Sequence, residues 1–457
     1  MTTLEERFSK PGPKRILSLD GGGIKGILTL AILERMESLL RQQHDNPKFL
    51  LSDYFDLIGG TSTGSIIASG LAMGMTVSEI SGYYNTLAKG IFGKRKSILA
   101  YLSRGEKYDI KPLNNALKKV FKNTRLGDQE KLKTGLCIVT KRADTFSTWP
   151  FHNHPGGRFY NYNKDLPLWK VIRASAAAPT YFLPIVLDIG QGEKGTFIDG
   201  GISMANNPSL TLFLVATLKG FPFHWSVGRN KLCLVSVGTG SLSRKYTYKD
   251  LEKMNIMKWA GMLPDHFMTD ANYYNQIIMQ MLSDSQTAST MDSEMGDLRN
   301  DSLNGSQFLT YLRYDVPYEQ EYLKQLGFEF TPDKIKELSA MDNYRNISSL
   351  YEIGKAAADI QLKDEHFQKI FALDNPSDQQ IRRYTPNKDL GLDFEKVQKK
   401  PITVEAVQIE EPFEVETLEG IMQGKAGDYL MKGVRGELYV CDQSIFDQTY
   451  TKRTQDG

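Results

Sequence analysis

At 457 residues the chain exceeds one minimal core, and 40% apolar with 24% charged residues is globular usage, which excludes a disordered or fibrous polymer. A formal net charge of +2 argues against nucleic acid as the principal partner. The start MTTLEERFSKPGPKR has no apolar signal core and no apolar run reaches about 18 residues, so neither a secretory signal nor a membrane-spanning helix is expected.

The run RILSL (15–19) reads as a first strand and ends on Asp20-Gly21-Gly22-Gly23-Ile24-Lys25-Gly26. Consecutive glycines after a strand leave backbone N–H groups free to face an anion. Leu28, Ile32, Met36, Leu39 and Leu40 then form one stripe of a helix. Gly21, Gly23 and Gly26 also fit G-x-G-x-x-G, but a dinucleotide site needs an acidic residue closing the next strand. A phosphate loop is the other nucleotide reading, and no second phosphate motif accompanies it.

The next strand-like run, YFDLI (54–58), leads instead into Gly60-Thr61-Ser62-Thr63-Gly64, followed by a small apolar helix over 64–73. A serine between glycines on a strand-to-helix turn is a nucleophile elbow, its hydroxyl lifted above the sheet. The bland reading of G-x-S-x-G is a turn whose serine caps the helix. Thr76 and Glu79 form a capping box for a helix running toward Leu87. The segment 83–111 mixes Tyr83, Tyr84, Ile91, Phe92, Ile98, Leu99, Tyr101 and Leu102 with Lys89, Lys94, Arg95, Lys96, Arg104 and Lys107. That mixture suits an interfacial lid against anionic headgroups, or a solvated helix and loop packed on the core.

Helices are expected over 166–176 and 210–218. Between them a short apolar strand delivers Asp199 onto Gly200-Gly201, with Asn206-Asn207-Pro208 following. A partly buried carboxylate within reach of a serine hydroxyl can accept its proton; the alternative is an ordinary turn. Of the six histidines, His266 would complete the chain order Ser62, Asp199, His266 of an α/β-hydrolase triad, though none sits on a glycine turn. His152 and His154 lack a third ligand at usable spacing and read as polar strand or loop residues. Cys137, Cys233 and Cys441 are scattered, the first two in apolar runs, and read as reduced core residues suited to the cytoplasm.

From residue 250 the chain turns helical and polar, with a long loop around 283–306, a strand over 308–316 and a helix over 349–360. The charged stretch 375–400 reads as a linker. The last block alternates ITVEAVQI and GELYVCD with glycine turns, indicating a small antiparallel module, either for oligomerisation, regulation or partner binding or simply an extra sheet packed on the main domain. The expected layout is a domain over 1–385 (core 14–240, helical extension 241–385), a linker at 386–400 and a β-rich module at 401–457. Alternating strands and helices predict an α/β three-layer fold: a mainly parallel central sheet with helices on both faces and its sites at strand carboxyl ends.

DGGGIKG, GTSTG and DGG followed by NNP, together with ASAAAPTYF (174–182) and VSVGTG (235–240), resemble in order and character the patatin-like phospholipase family, bacterial members included. The resemblance spans about residues 14–240. It implies a Ser–Asp dyad, with Ser62 as nucleophile, Asp199 as base and the amides of Gly21, Gly22 and Gly23 as oxyanion hole. Gly26, Gly60, Gly64, Gly200 and Gly201 would support the turns. Lys25 stands where arginine is usual, keeping the charge without the planar fork, and is expected to affect loop anchoring rather than chemistry.

The implied activity is phospholipase A or lysophospholipase hydrolysis of membrane lipids, with no metal or cofactor and with the membrane surface as partner. The implied location is the cytoplasm or the inner membrane face. Some bacterial relatives are effectors switched on by nucleotide second messengers in anti-phage defence, which leaves room for a small-molecule activator and a homo-oligomer. A nucleotide-binding or phosphotransfer protein and a non-catalytic lipid-binding module are the readings from other classes.

Overall fold

The computed structural model describes residues 3–93, 106–190, 192–241, 248–299, 301, 303–367, 371, 403–417, 420–434 and 436–451. They belong to two compact units, Met1–Ile381 and Arg382–Gly457. The expected linker at 386–400 lies outside the described residues.

The first unit is built on a nine-stranded sheet. Its strands are β1 (Lys14–Leu19), β2 (Leu57–Thr61), β3 (Gly135–Arg142), β4 (Thr148–His152), β5 (Ile185–Gly190), β6 (Glu193–Asp199), β7 (Leu232–Val237), β8 (Ser283–Asp284) and β9 (Leu309–Tyr314). β3, β2, β1, β7, β9 and β8 run parallel, while β4, β5 and β6 add antiparallel pairs at one side. β1, β2, β7 and β9 are buried along their whole length, as parallel strands covered on both faces must be. Cys137 in β3 and Cys233 in β7 are buried free thiols of this core.

Side chains alternate faces along a strand, so neighbouring glycines of β2 report what covers each face. A Cβ on Gly59 would meet the Leu212 side chain of the helix Ser209–Thr217. One on Gly60 would meet the backbone of Gly64, in the helix Thr63–Ala72. Helices therefore cover both faces. Leu28, Ile32, Met36, Leu39 and Leu40 are buried in the helix Gly26–Gln43, which packs on the helix Ile347–Gln361.

Several boundaries differ from the sequence reading. β2 starts at Leu57 rather than 54, because Leu51–Tyr54 closes a short helix in which Asp53 accepts from the Leu50 amide at 2.9 Å. The capping box at Thr76 and Glu79 forms, but its helix, Val77–Phe92, runs past Leu87. The segment 241–385 is not only a helical extension: it supplies β8 and β9 to the central sheet.

The second unit holds β10 (Glu405–Gln408), β11 (Phe413–Thr417), β12 (Gly420–Gly424), β13 (Tyr429–Lys432) and β14 (Leu438–Cys441), all paired antiparallel. The helix Gln443–Thr449 was not expected; Asp442 caps it by accepting from the Ser444 amide at 2.9 Å. Its Phe446 stacks on Tyr429 with ring centroids 3.7 Å apart, beside buried Met431 and Cys441.

Candidate active site

Two strand ends meet head to head along one edge of β3. On that edge β2 runs parallel and ends with Thr61 opposite Val139. β6 comes from the other direction and ends with Asp199 opposite Thr140, the next residue of β3. β4 occupies the far edge, since it pairs with residues that β2 and β6 also pair with. The turn after β2 and the turn after β6 are thus forced together. Asp199 does sit at the carboxyl end of its strand, but that strand runs against the parallel set.

Ser62 follows Thr61 with φ 53° and ψ −120°, a conformation that non-glycine residues rarely hold without surrounding support. The support is close. A Cβ on Gly60 would lie 2.2 Å from the Gly64 carbonyl oxygen, and one on Gly64 would lie 2.2 Å from that of Leu19. The Ser62 amide donates to Ser175 Oγ at 2.8 Å, and Ser175 Oγ donates to the Val139 carbonyl at 2.6 Å. The side chain of Ser62 does not cap its helix.

Asp199 is almost fully buried, and burial pushes its carboxyl up to about 6, against 3.8 for an ordinary aspartate. Opposing that rise are the Ser62 hydroxyl, the Gly201 amide (2.7 Å) and the charge of Arg173. A guanidinium N–H of Arg173 donates to the Leu183 carbonyl at 2.5 Å. A carboxyl at about 6 is ionised at neutral pH yet basic enough to take a proton.

Of the glycine-loop amides, that of Gly21 is already committed, donating to the Asn206 carbonyl at 3.0 Å. Gly22 and Gly23 line the cavity above Ser62, and among the described residues neither amide is committed to an acceptor. Of the three amides expected to face an anion, that of Gly21 is thus engaged, which leaves those of Gly22 and Gly23, with the Thr63 amide at the helix N-terminus beside them. Lys25 donates to the Gly240 carbonyl at 3.2 Å and lies over the Tyr318 ring, so it ties the loop to the turn after β7. A Cβ on Gly26 would meet the hydroxyls of Tyr84 and Thr63, and one on Gly200 the Val139 carbonyl.

Asp20 turns away from the site. Arg313 on β9 grips it with two bonds of 2.9 and 2.7 Å while also reaching Ser236 and Asp315. Burial raises the Asp20 carboxyl and the guanidinium opposes the rise.

Ser62 and Asp199 open into a cavity of about 1290 Å³. Its walls are mostly apolar, among them Ile66, Ala88, Ile91, Phe92, Leu113, Pro179, Phe182, Leu263, Phe267, Met268 and Met341. Lys141 is the one cation among the described lining residues.

His266 is exposed on the helix Ile256–Met281 and does not line the cavity. His152 and His154 pack in an aromatic cluster with Phe8, Phe221 and Phe223, and burial lowers both to about 4. Of the expected interfacial segment 83–111, residues 94–105 lie outside the described residues. Tyr84, Ile91 and Phe92 face the cavity rather than a surface, and among the segment's described apolar residues only Tyr83 is exposed. Sequence reasoning missed Arg173, Ser175, Arg313 and the fact that the helix Ile256–Met281, in the stretch read as helical from residue 250, walls the cavity. Only Ser175 carried a signal, inside the motif ASAAAPTYF.

Comparison with known proteins bears on the family of the chain. The family model described as patatin-like phospholipase matches residues 17–213. Patatin-17 of Solanum cardiophyllum is 30% identical over 310 residues, covering 62% of this chain and 77% of that protein. Patatin group D-3 of Solanum tuberosum is 30% identical over 292 residues, covering 58% and 72%. The likeness to the structure of VipD from Legionella pneumophila is weak, with a TM-score of 0.30 and 14% identity over 75% of this chain and 67% of that one. With that extent of likeness to the Solanum proteins, and with the family model running through the strands that carry Ser62 and Asp199, the chain belongs to the patatin-like phospholipase family.

Proposed function

We propose that this protein is a serine-dependent lipid acyl hydrolase of the phospholipase A type, cleaving fatty-acyl esters of membrane phospholipids. The observation that carries the reading is a strained serine beside a carboxyl raised to about 6, both opening into an apolar cavity large enough for an acyl chain. Asp199 takes the Ser62 proton as the hydroxyl oxygen attacks the ester carbonyl. The amides of Gly22, Gly23 and Thr63 hold the tetrahedral oxyanion, each donor worth roughly 3 kcal/mol at the transition state. Collapse breaks the ester C–O bond, and the departing alcohol takes the proton back from Asp199. Water then attacks the acyl-serine, gives its proton to Asp199, and the fatty acid leaves as Ser62 recovers its own.

A nucleotide site on the glycine loop fits less well. The Gly21 amide is spent, and a single lysine in an apolar cavity is poor company for phosphates. Lipid mass spectrometry on cells expressing the parent or Ser62→Ala tests the proposal. Lysophospholipid and free fatty acid should accumulate only with the parent. Identical lipid profiles would remove the phospholipase reading.

A further inference from the structure

The long helix Ile256–Met281 carries an apolar stripe that does not end where the cavity ends. Ile256, Trp259, Leu263, Phe267, Ala271 and Tyr274 recur at helical spacing and share one face. The last four line the cavity, and Phe267 is still 68% exposed. Outward from them, Trp259 is exposed and Ile256 is 83% exposed, with Met257 beside it at 81%. Across the mouth, Ile202 and Met204 from the loop after Asp199 also line the cavity while standing exposed. Scattered exposed apolar residues are ordinary; a contiguous run leading into a binding cavity marks an interaction surface.

We propose that the first half of this helix, together with the Ile202 and Met204 rim, docks on a phospholipid bilayer and passes acyl chains to Ser62. The inference rests on the acyl-hydrolase reading and gives a membrane-facing role to residues 256–274. The occupant follows from continuity: one apolar path runs from solvent to the nucleophile, so whatever covers its outer end must also supply what enters. A bilayer does both, whereas a protein seated there would stopper the mouth. The helix is held in register with the site. Asn272 accepts from the Asn207 amide at 3.1 Å, and Asn275 donates to the Met204 carbonyl. Exposed Lys249, Lys253 and Lys258 stand near the outer end with exposed Glu252, a mixed set that leaves most of the attraction to the apolar stripe. Neutral phosphatidylcholine vesicles are therefore the probe.

The test compares the full chain as Ser62→Ala with the same chain also carrying Ile256→Ser, Met257→Ser and Trp259→Ser. Binding to sucrose-loaded phosphatidylcholine vesicles is read by sedimentation. The triple change should weaken binding at least about tenfold, since three large apolar side chains no longer leave water. In the Ser62 background, hydrolysis of vesicle lipid should fall in step. Hydrolysis of a short monomeric ester should stay within about twofold, which also reports correct folding. Unchanged vesicle binding overturns the proposal. So does a dimer seen by light scattering that the triple change splits while vesicle binding persists, since the stripe then seats a second copy. If the parent hydrolyses no ester yet binds vesicles through these residues, the hydrolase reading fails and the docking surface stands.

Discussion

Asp199 should govern both the pH profile of the enzyme and part of its stability. Its carboxyl, raised to about 6, must be ionised to accept the Ser62 proton, so kcat/KM should climb with unit slope below that pH and level off above it. At pH 5 roughly a tenth of the molecules would be competent, a rate about tenfold below the plateau. Arg173 pulls this value down, so Arg173→Gln should move the limb to higher pH. The folded carboxyl lies above its unfolded value. Its stabilising contribution is therefore complete below about pH 4 and is lost as pH rises through about 6. A rise of about two pKa units corresponds to roughly 3 kcal/mol at neutral pH. Asp199→Asn, which cannot ionise, should thus be nearly inactive yet melt at a higher temperature near neutral pH, with the gain shrinking toward about pH 4. The assays are stopped-time hydrolysis of a monomeric ester across pH and thermal melts of both proteins. A flat profile from about pH 4.5 to about 8, or an Asn variant that keeps the acid limb, would refute the assignment.

The remaining predictions probe the scaffold. Gly64→Ala should abolish activity and lower the melting temperature, because its Cβ would overlap the Leu19 carbonyl; Gly82→Ala, at an exposed helical position with open space around it, should leave activity unchanged and add up to about 1 kcal/mol. Arg313→Met strands the buried Asp20 carboxylate and should cost on the order of 3–5 kcal/mol in denaturant melts, with Asp20→Asn in the same chain recovering part of it. His266→Ala should keep ester turnover within about twofold of the parent, and a loss like that of Ser62→Ala would point to a histidine base.

The site was legible where chemistry depends on local backbone. Gly60 and Gly64 could be read as an elbow because a sharp turn tolerates no Cβ there, and Asp199-Gly200-Gly201 because the same build recurs. What put the two turns together was not legible: β6 arriving antiparallel on the edge that β2 vacates at Val139 is a property of register. Arg313 was invisible for a similar reason, since it lies 293 residues from the Asp20 that it holds. The start of β2 was misplaced because Tyr54 and Phe55 favour strands locally while the Leu50–Asp53 cap closes a helical turn there. Helix periodicity predicted buried stripes such as Leu28 to Leu40 correctly, but it gave no hint that the stripe on Ile256–Met281 faces a cavity and then solvent.

An activated serine is the claim beneath all of this, and a fluorophosphonate probe reads it directly. Intact-protein and peptide mass spectrometry should find one adduct, on Ser62, formed quickly in the parent, slowly in Asp199→Asn and not at all in Ser62→Ala. A fast adduct on another residue, or equal labelling of parent and Asp199→Asn, would contradict the account.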